Sequence, residues 1–419
     1  MGRLKLFGSD NDPYGGPYLT LTYTGVLLPT VFSQFPEDGF QAGTLTPQLS
    51  ASGGVDVADT GKLKFDFQVD DASGTKVADS GLVSGGAAQN GGAVWAVPSG
   101  KLKWGKSYYW TVQAYDGTNY SPGPVWNSLT VQVPQPAITS GLSQNTGTHG
   151  FDASIGNYTT EATDAQVATP GPSVSVVRDY NSRDPRVSGA FGAAWSSVFD
   201  ARAAEQYDPS GAVASVVVTY PDGSQVGYGK NPDGSFSPPQ GRFATLKAIT
   251  GGYSLTDKND TVYTFTQSLG AGSYGITAIT DASGRAVNFT WASGQITTMA
   301  SAVSGRALHL TWSTPAGAAA AHVASVATDP VTAGQPATAL TWTYGYSGDQ
   351  LTGACPPGTT TACTQYAYQA GSQYQSQVLG EGAGAAQAAD EVNYGPGTYA
   401  NVTLGVGGVF GRGGPRVPG

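Results

Sequence analysis

The stretch 275-GITAITDASGRAVNFTWASG-294 is followed directly by 295-QITTMASAVSGRALHLTWS-313, and the two run in parallel. Ile276, Ile279, Gly284, Phe289 and Trp291 of the first answer to Ile296, Met299, Gly305, Leu310 and Trp312 of the second. Each copy reads as a strand, a glycine-containing turn and a second strand that ends in an aromatic. A single such hairpin cannot bury its own apolar face, so neighbouring copies must share a core. A third copy, HVASVATDPVTAGQPATALTWTYGYSGD, carries an insertion in its turn. In a fourth, QLTGACPPGTTTACTQYAY, a cysteine loop replaces the turn. By this alignment Trp342 follows Trp291 and Trp312, and Tyr344 and Tyr366 supply further ring positions. The fold is decided by this repeat, and it is β.

The rest of the chain agrees. Its 419 residues include 60 glycines, 26 prolines and 22 tyrosines, with only 12% charged residues. Short strands between turns have this composition; helices rich in Leu, Glu and Lys do not. The expected class is all-β. A net charge of −9 without a basic cluster argues against a nucleic-acid partner. No run of 18 apolar residues exists to span a membrane as a helix.

Residues 36–134 predict a β-sandwich. In KLKFDFQVDD, Leu63, Phe65, Phe67 and Val69 share one face; in SYYWTVQAYDG, Tyr108, Trp110, Val112 and Ala114 do the same. The order W-x-V-P, then Y-x-W-x-V-x-A-x-D-G, resembles fibronectin type III and Ig-like modules of bacterial extracellular proteins. That resemblance implies a spacer or adhesive unit. Residues 1–25 hold one alternating strand, read as the tail of a preceding β-domain or an edge strand. Residues 135–172 read as an irregular, partly extended connector with a strand or two, one of them around Gly156 to Thr160. Hairpins are expected around Pro221-Asp222-Gly223 and Lys258-Asn259-Asp260.

The repeats resemble the RHS or YD repeat family, whose unit has the form L-x-x-I-x-D-x-x-G-R. Ile279, Asp281, Gly284 and Arg285 fit that form, while tryptophans stand where the family has tyrosine. The segment GPSVSVVRDYNSRDPRVSGAFGAAWSSVFDARA resembles the region that starts an RHS shell, with Ala194 in place of the usual second glycine. Together these place an RHS/YD-repeat region at 173–370. Family members build a twisted sheet that spirals into a hollow shell, in some cases around a C-terminal toxin. The resemblance implies the start of such a β-shell. The stretch AADEVNYGPGTYANVTLG resembles the beginning of a laminin-G-like jelly roll, so 371–419 reads as a truncated laminin-G-like segment and a disordered tail.

Chemistry is sparse. Charges crowd the opening segment of the shell, but no nucleophile, base or metal ligand accompanies them. Arg178, Tyr180, Asn181, Arg183, Asp184, Arg186, Phe191 and Trp195 are therefore read as a structural lock, its arginines pairing with aspartates. His149 is one of three histidines, and no triad can be assembled around it. Asp10-Asn11-Asp12 lacks the glycine and distal glutamate of a calcium loop. Cys355 and Cys363 read either as free thiols or, after secretion, as a local disulfide closed by the turn-forming residues between them. No metal and no cofactor are expected. Trp95 and Trp110 alternate inward, which leaves Trp104 and Trp126 as the exposed candidates for glycan contact.

The expected function is a non-catalytic scaffold, a fragment of a large secreted or cell-surface RHS/YD-repeat protein. Its spacer and β-shell start would serve a toxin domain beyond this chain. The alternative is an adhesin or carbohydrate-binding protein that meets wall or host-surface glycans through its sandwich modules. The export signal is expected upstream.

Overall fold

The computed structural model describes residues 3–6, 19–22, 28–54, 63–85, 89–136, 149–152, 157–360, 362–368, 375–379, 388–392, 402–404 and 408–410. Side chains are described within 28–54, 63–85, 91–136, 157–360 and 362–368. Among the described residues the regular structure is β-strand with two 3₁₀ turns, and no helix is long and apolar enough to cross a membrane. The chain forms two compact units, Met1–Gln132 and Val133–Gly419.

In the first unit a five-stranded sheet contains Phe40–Ala42, Asn127–Val131, Ser107–Tyr115, Lys64–Asp71 and Lys76–Ser84 in that order. A three-stranded sheet contains Thr30–Phe35, Gln48–Gly54 and Gln89–Ala96. Alternation drives the pairing. Phe65, Phe67, Val69, Trp110, Val112 and Ala114 are buried, and Phe67 of one sheet lies 6.1 Å from Trp95 of the other in a stacked contact. The arrangement is sandwich-like. The expected strand near residue 20, Leu19–Thr22, is not alone: it pairs antiparallel with Arg3–Leu6.

The second unit opens with a four-stranded sheet of His149–Asp152, Asn157–Val167, Val174–Asn181 and Trp195–Ser196. The stretch read as a connector thus supplies an eleven-residue strand to this unit. A 19-stranded antiparallel sheet follows, running from Arg202–Tyr207 to Gly408–Phe410 with its strands in chain order. The sheet curls, because Arg202–Tyr207 also pairs with Ser273–Thr280 through Arg202↔Gly275 and Ala203↔Tyr274. At the far end Gln375–Leu379, Ala388–Val392, Val402–Leu404 and Gly408–Phe410 add to the same sheet. Of residues 407–419, expected to be a disordered tail, Gly408–Phe410 forms the last strand of this sheet, and the others lie outside the described residues.

The turns explain why the hairpins close where they do. In DASGT, DPSGA, DKNDT and DASGR the leading aspartate (Asp71, Asp208, Asp257, Asp281) accepts backbone N–H groups two and four residues on. The residue three after it takes a positive φ: Gly74, Gly211 and Gly284, with Asp260 at 58°. The family-like Asp281-x-x-Gly284-Arg285 is therefore a turn element. Its carboxyl sits below the usual range because Arg285 and nearby N–H groups donate to it.

The repeats have a structural signature that corrects the sequence alignment. Trp291 and Trp312 donate their indole N–H to the carbonyls of Ile276 and Ile296, at 2.8 and 2.7 Å. A register shift precedes each, at Thr290/Trp291 and Thr311/Trp312. In the third hairpin that place belongs to Tyr346, whose hydroxyl donates to the Val323 carbonyl at 2.8 Å after a shift at Gly345/Tyr346. Tyr368 follows the shift at Ala367/Tyr368. Trp342 instead pairs with Val326, as Leu308 pairs with Met299 and Val287 with Ile279. Tyr344 and Tyr366 correspond to Phe289 and Leu310, inside the core.

Candidate functional site

The densest constellation of polar chemistry lies where Val174–Asn181 and the loop after it meet the hairpin sheet. Alternation along VSVVRDYN turns Val174, Val176, Arg178 and Tyr180 inward, so an arginine enters an apolar face. Arg178 is 1% exposed. Its acid partner comes from the neighbouring strand, where the register shifts between Thr163 and Gln166. That bulge holds Asp164 and re-aims its carboxylate. Arg178 Nε and Nη2 donate to Asp164 at 2.6 and 2.9 Å, a two-pronged contact. Nη2 also lies 3.1 Å from the Tyr366 hydroxyl, and the Tyr344 hydroxyl donates to Asp164 Oδ2 at 2.7 Å.

Arg178 Nη1 has no acceptor among the described residues. The guanidinium carbon instead lies 4.9 Å from the Trp195 ring centre and 5.5–5.7 Å from those of Tyr366, Tyr344 and Phe191. Four ring faces around one cation replace the missing oxygen. Burial works against the charge of Arg178, but Asp164 more than offsets it and the group is held well above its ordinary pKa. Burial, and then the Asp164 charge, push the Tyr344 hydroxyl well up.

The other lock residues surround this centre. Tyr180 and Trp195 are buried with ring centres 5.2 Å apart, and Trp195 Nε1 donates to the Tyr368 hydroxyl at 3.0 Å. Phe191 meets Tyr344 edge-on at 4.9 Å. Asp184 is buried and receives both Nε and Nη2 of Arg186. Arg186 Nη2 also donates to the Gly223 carbonyl at 2.7 Å, which ties the loop to the Pro221-Asp222-Gly223 turn. Asn181 accepts the Arg183 N–H in a local turn, and the Arg183 side chain lies on the surface. Sequence reasoning missed Asp164, because nothing in ATDAQ distinguishes a bulge aspartate from a turn aspartate.

Close backbone approach fastens the loop further. Ala193 N–H donates to the Asp349 carbonyl at 2.7 Å, and a Cβ on Gly192 would lie 2.4 Å from that oxygen. Ala194 takes φ 63°, a left-handed conformation that glycine would adopt without strain. His322, buried and stacked on Tyr346, bridges the same two segments: Nδ1 is 2.9 Å from the Gly189 carbonyl and Nε2 2.9 Å from Asp349 Oδ1. The turn arginines join in. Arg306 Nη1 donates to the Ala168 carbonyl at 3.1 Å, and the stem of Arg285 occupies the space beside Gly171.

Cys355 and Cys363 are joined, with Cα atoms 4.2 Å apart. Among the described residues no cluster of three or more His, Cys, Asp or Glu side chains could hold a metal ion. Trp126 is 42% exposed, but Trp104 is 7% exposed and cannot serve as an open glycan platform. The loop carrying Trp104 is pinned inward, as Gly105 N–H donates to the Val131 carbonyl and Val131 N–H to the Lys106 carbonyl. With the loop so fixed, Leu102 and Trp104 both turn into the core. His149 begins the strand His149–Asp152, and its side chain lies outside the described residues.

Part of the lock lies in a stretch that matches a family model. Residues 149–228 match a domain of unknown function (DUF6531). The match contains Asp164, Arg178, Asp184, Arg186, Trp195 and the turn at Gly223, so both ion pairs fall inside it. The rings that close on Arg178 from the hairpin side, Tyr344 and Tyr366, lie outside it. No curated protein matches the chain.

Proposed function

We propose that this chain is a non-catalytic scaffold, part of a secreted or cell-surface RHS/YD-repeat protein in which the DUF6531 segment plugs and orients the start of a β-shell. The observation that carries the reading is the Arg178–Asp164 pair, held between the matched domain and two tyrosines of the hairpin sheet. DUF6531 domains are associated with RHS and polymorphic-toxin systems, which supports the same reading. So does the fate of the charges. Arg178 with Asp164 and Arg186 with Asp184 pair with one another, and Asp200 accepts backbone N–H groups, an arrangement that holds segments together. The joined Cys355 and Cys363 suit an oxidising location outside the cytoplasm.

A shell of this kind would shelter a domain encoded downstream. The test uses the full-length gene product under limited proteolysis. A downstream domain should resist cleavage while the hairpin sheet is intact and lose that protection in Arg178→Ala. Equal cleavage of both proteins would remove the shelter reading. A reading frame that completes a sandwich and an anchoring signal, with no payload, would favour adhesion. The fibronectin-like unit then becomes the recognition element, with exposed Val125 and Trp126 as its contact.

A further inference from the structure

Beside the lock, between the loop at 188–202 and the hairpins, lies a cleft of about 240 Å³. We propose that it binds a small carboxylate carried on a single six-membered ring. Trp291 and Trp312 line the cleft at equivalent positions of successive hairpins, and Leu269, 39% exposed, is also part of its lining. Both indole N–H groups are already given to backbone carbonyls. The tryptophans therefore offer a ligand ring surface and no hydrogen bond.

The polar lining is unevenly satisfied. Asp200 is fully used: Oδ1 accepts the Ala190 N–H at 2.8 Å, and Oδ2 accepts the N–H and hydroxyl of Ser197, each at 2.9 Å. Arg202 and Gln295 are half-buried in the same lining, and neither side chain makes a hydrogen bond or ion pair among the described residues. The Arg202 guanidinium feels the charge of Asp200 but makes no hydrogen bond to it, so its five donors match a carboxylate by fork geometry. Gln295 adds an amide donor. A neutral ligand would satisfy the rings and leave the guanidinium unpaired. Pockets for drug-sized ligands begin near ~300 Å³, so this one suits a single ring.

An aromatic acid and a uronic acid share this chemistry, and benzoate and glucuronate serve as separate probes. Tryptophan fluorescence and saturation-transfer NMR would follow each titration, with benzyl alcohol and acetate as controls lacking the charge or the ring. The expected result is saturable binding of benzoate, glucuronate or both, with each control at least about tenfold weaker. The probe that binds tighter identifies the source. Arg202→Met should weaken the bound probe at least about tenfold, and Arg202→Lys, which keeps the charge without the fork, should weaken it less. Arg202 holds its strand through backbone pairing, so Tm should change little; if the Met variant fails to fold, the Lys variant carries the comparison. No saturation by either probe at about 10 mM, where a 1 mM site would be nearly filled, would overturn the proposal. Equal binding of benzoate and benzyl alcohol, or undiminished binding in both Arg202 variants, would do the same.

Discussion

Replacing Arg178 by alanine removes the side chain that meets Asp164, the Tyr366 hydroxyl and four ring faces at the centre of the lock. It leaves Asp164 with the Tyr344 hydroxyl as its remaining side-chain donor, and it empties the space among four rings. Breaking a buried pair by deleting one partner costs roughly 3–5 kcal/mol, because the surviving charge stays desolvated. In a unit the size of Val133–Gly419, each kcal/mol moves Tm by about 2 °C, so a fall of about 6–10 °C is expected. Arg178→Lys should lie between alanine and the parent, since it keeps the charge and loses the two-pronged contact. The double variant Arg178→Met with Asp164→Leu should recover much of the loss, as no lone charge remains. Calorimetry and urea titration of the parent, Arg178→Met, Asp164→Leu and the double variant close a double-mutant cycle. Single variants that each lose under about 1 kcal/mol, or losses that add without coupling, would refute the lock.

Four further outcomes follow from the same geometry. Ala194→Gly should stabilise by up to about 1 kcal/mol, read as a raised urea midpoint, because the native φ of 63° is strained for any residue with a Cβ. Burial, then the charges of Asp222 and Glu161, push Asp179 up to about 7, and Glu161 stands directly opposite it on the next strand. Its contribution to stability is complete below pH about 4 and is lost as pH rises through about 7, so Asp179→Asn should flatten that part of the Tm–pH curve. Opening the Cys355–Cys363 bond with reductant, or substituting both by serine, should cost roughly 2–3 kcal/mol in a denaturant titration, given the short loop it closes. Gly192→Ala should destabilise and speed proteolysis near residue 192, since its Cβ would collide with the Asp349 carbonyl.

Much of the fold could be read from residue order. Period-two alternation marks the inward faces at Phe65, Phe67 and Val69, and aspartate–glycine spacing marks the turns, because both signals are local. The register of the third hairpin could not be read this way. Trp342, Tyr344 and Tyr346 all fall on one face of their strand at period two, and only a hydrogen bond to a distant carbonyl selects Tyr346. Trp104 misled for the opposite reason: its setting looks like a surface turn, and it is drawn inward by backbone contacts to a strand more than twenty residues away. The lock was half legible. Charge and rings crowd together in 178–195, but the aspartate that completes the centre sits in a bulge upstream and the tyrosines that close it lie far downstream.

The ring-to-carbonyl contacts of Trp291, Trp312 and Tyr346 recur although the loops of their hairpins differ: tight Gly-Arg turns for the first two and the long loop 329–340 for the third. Each contact sets the phase of its hairpin from the end opposite the loop. The sheet can therefore absorb insertions at one rim without losing count. Foreign segments placed between Pro330 and Gln335 should leave the rest of the molecule in step, which makes that rim a natural place for sequence diversification and for tags.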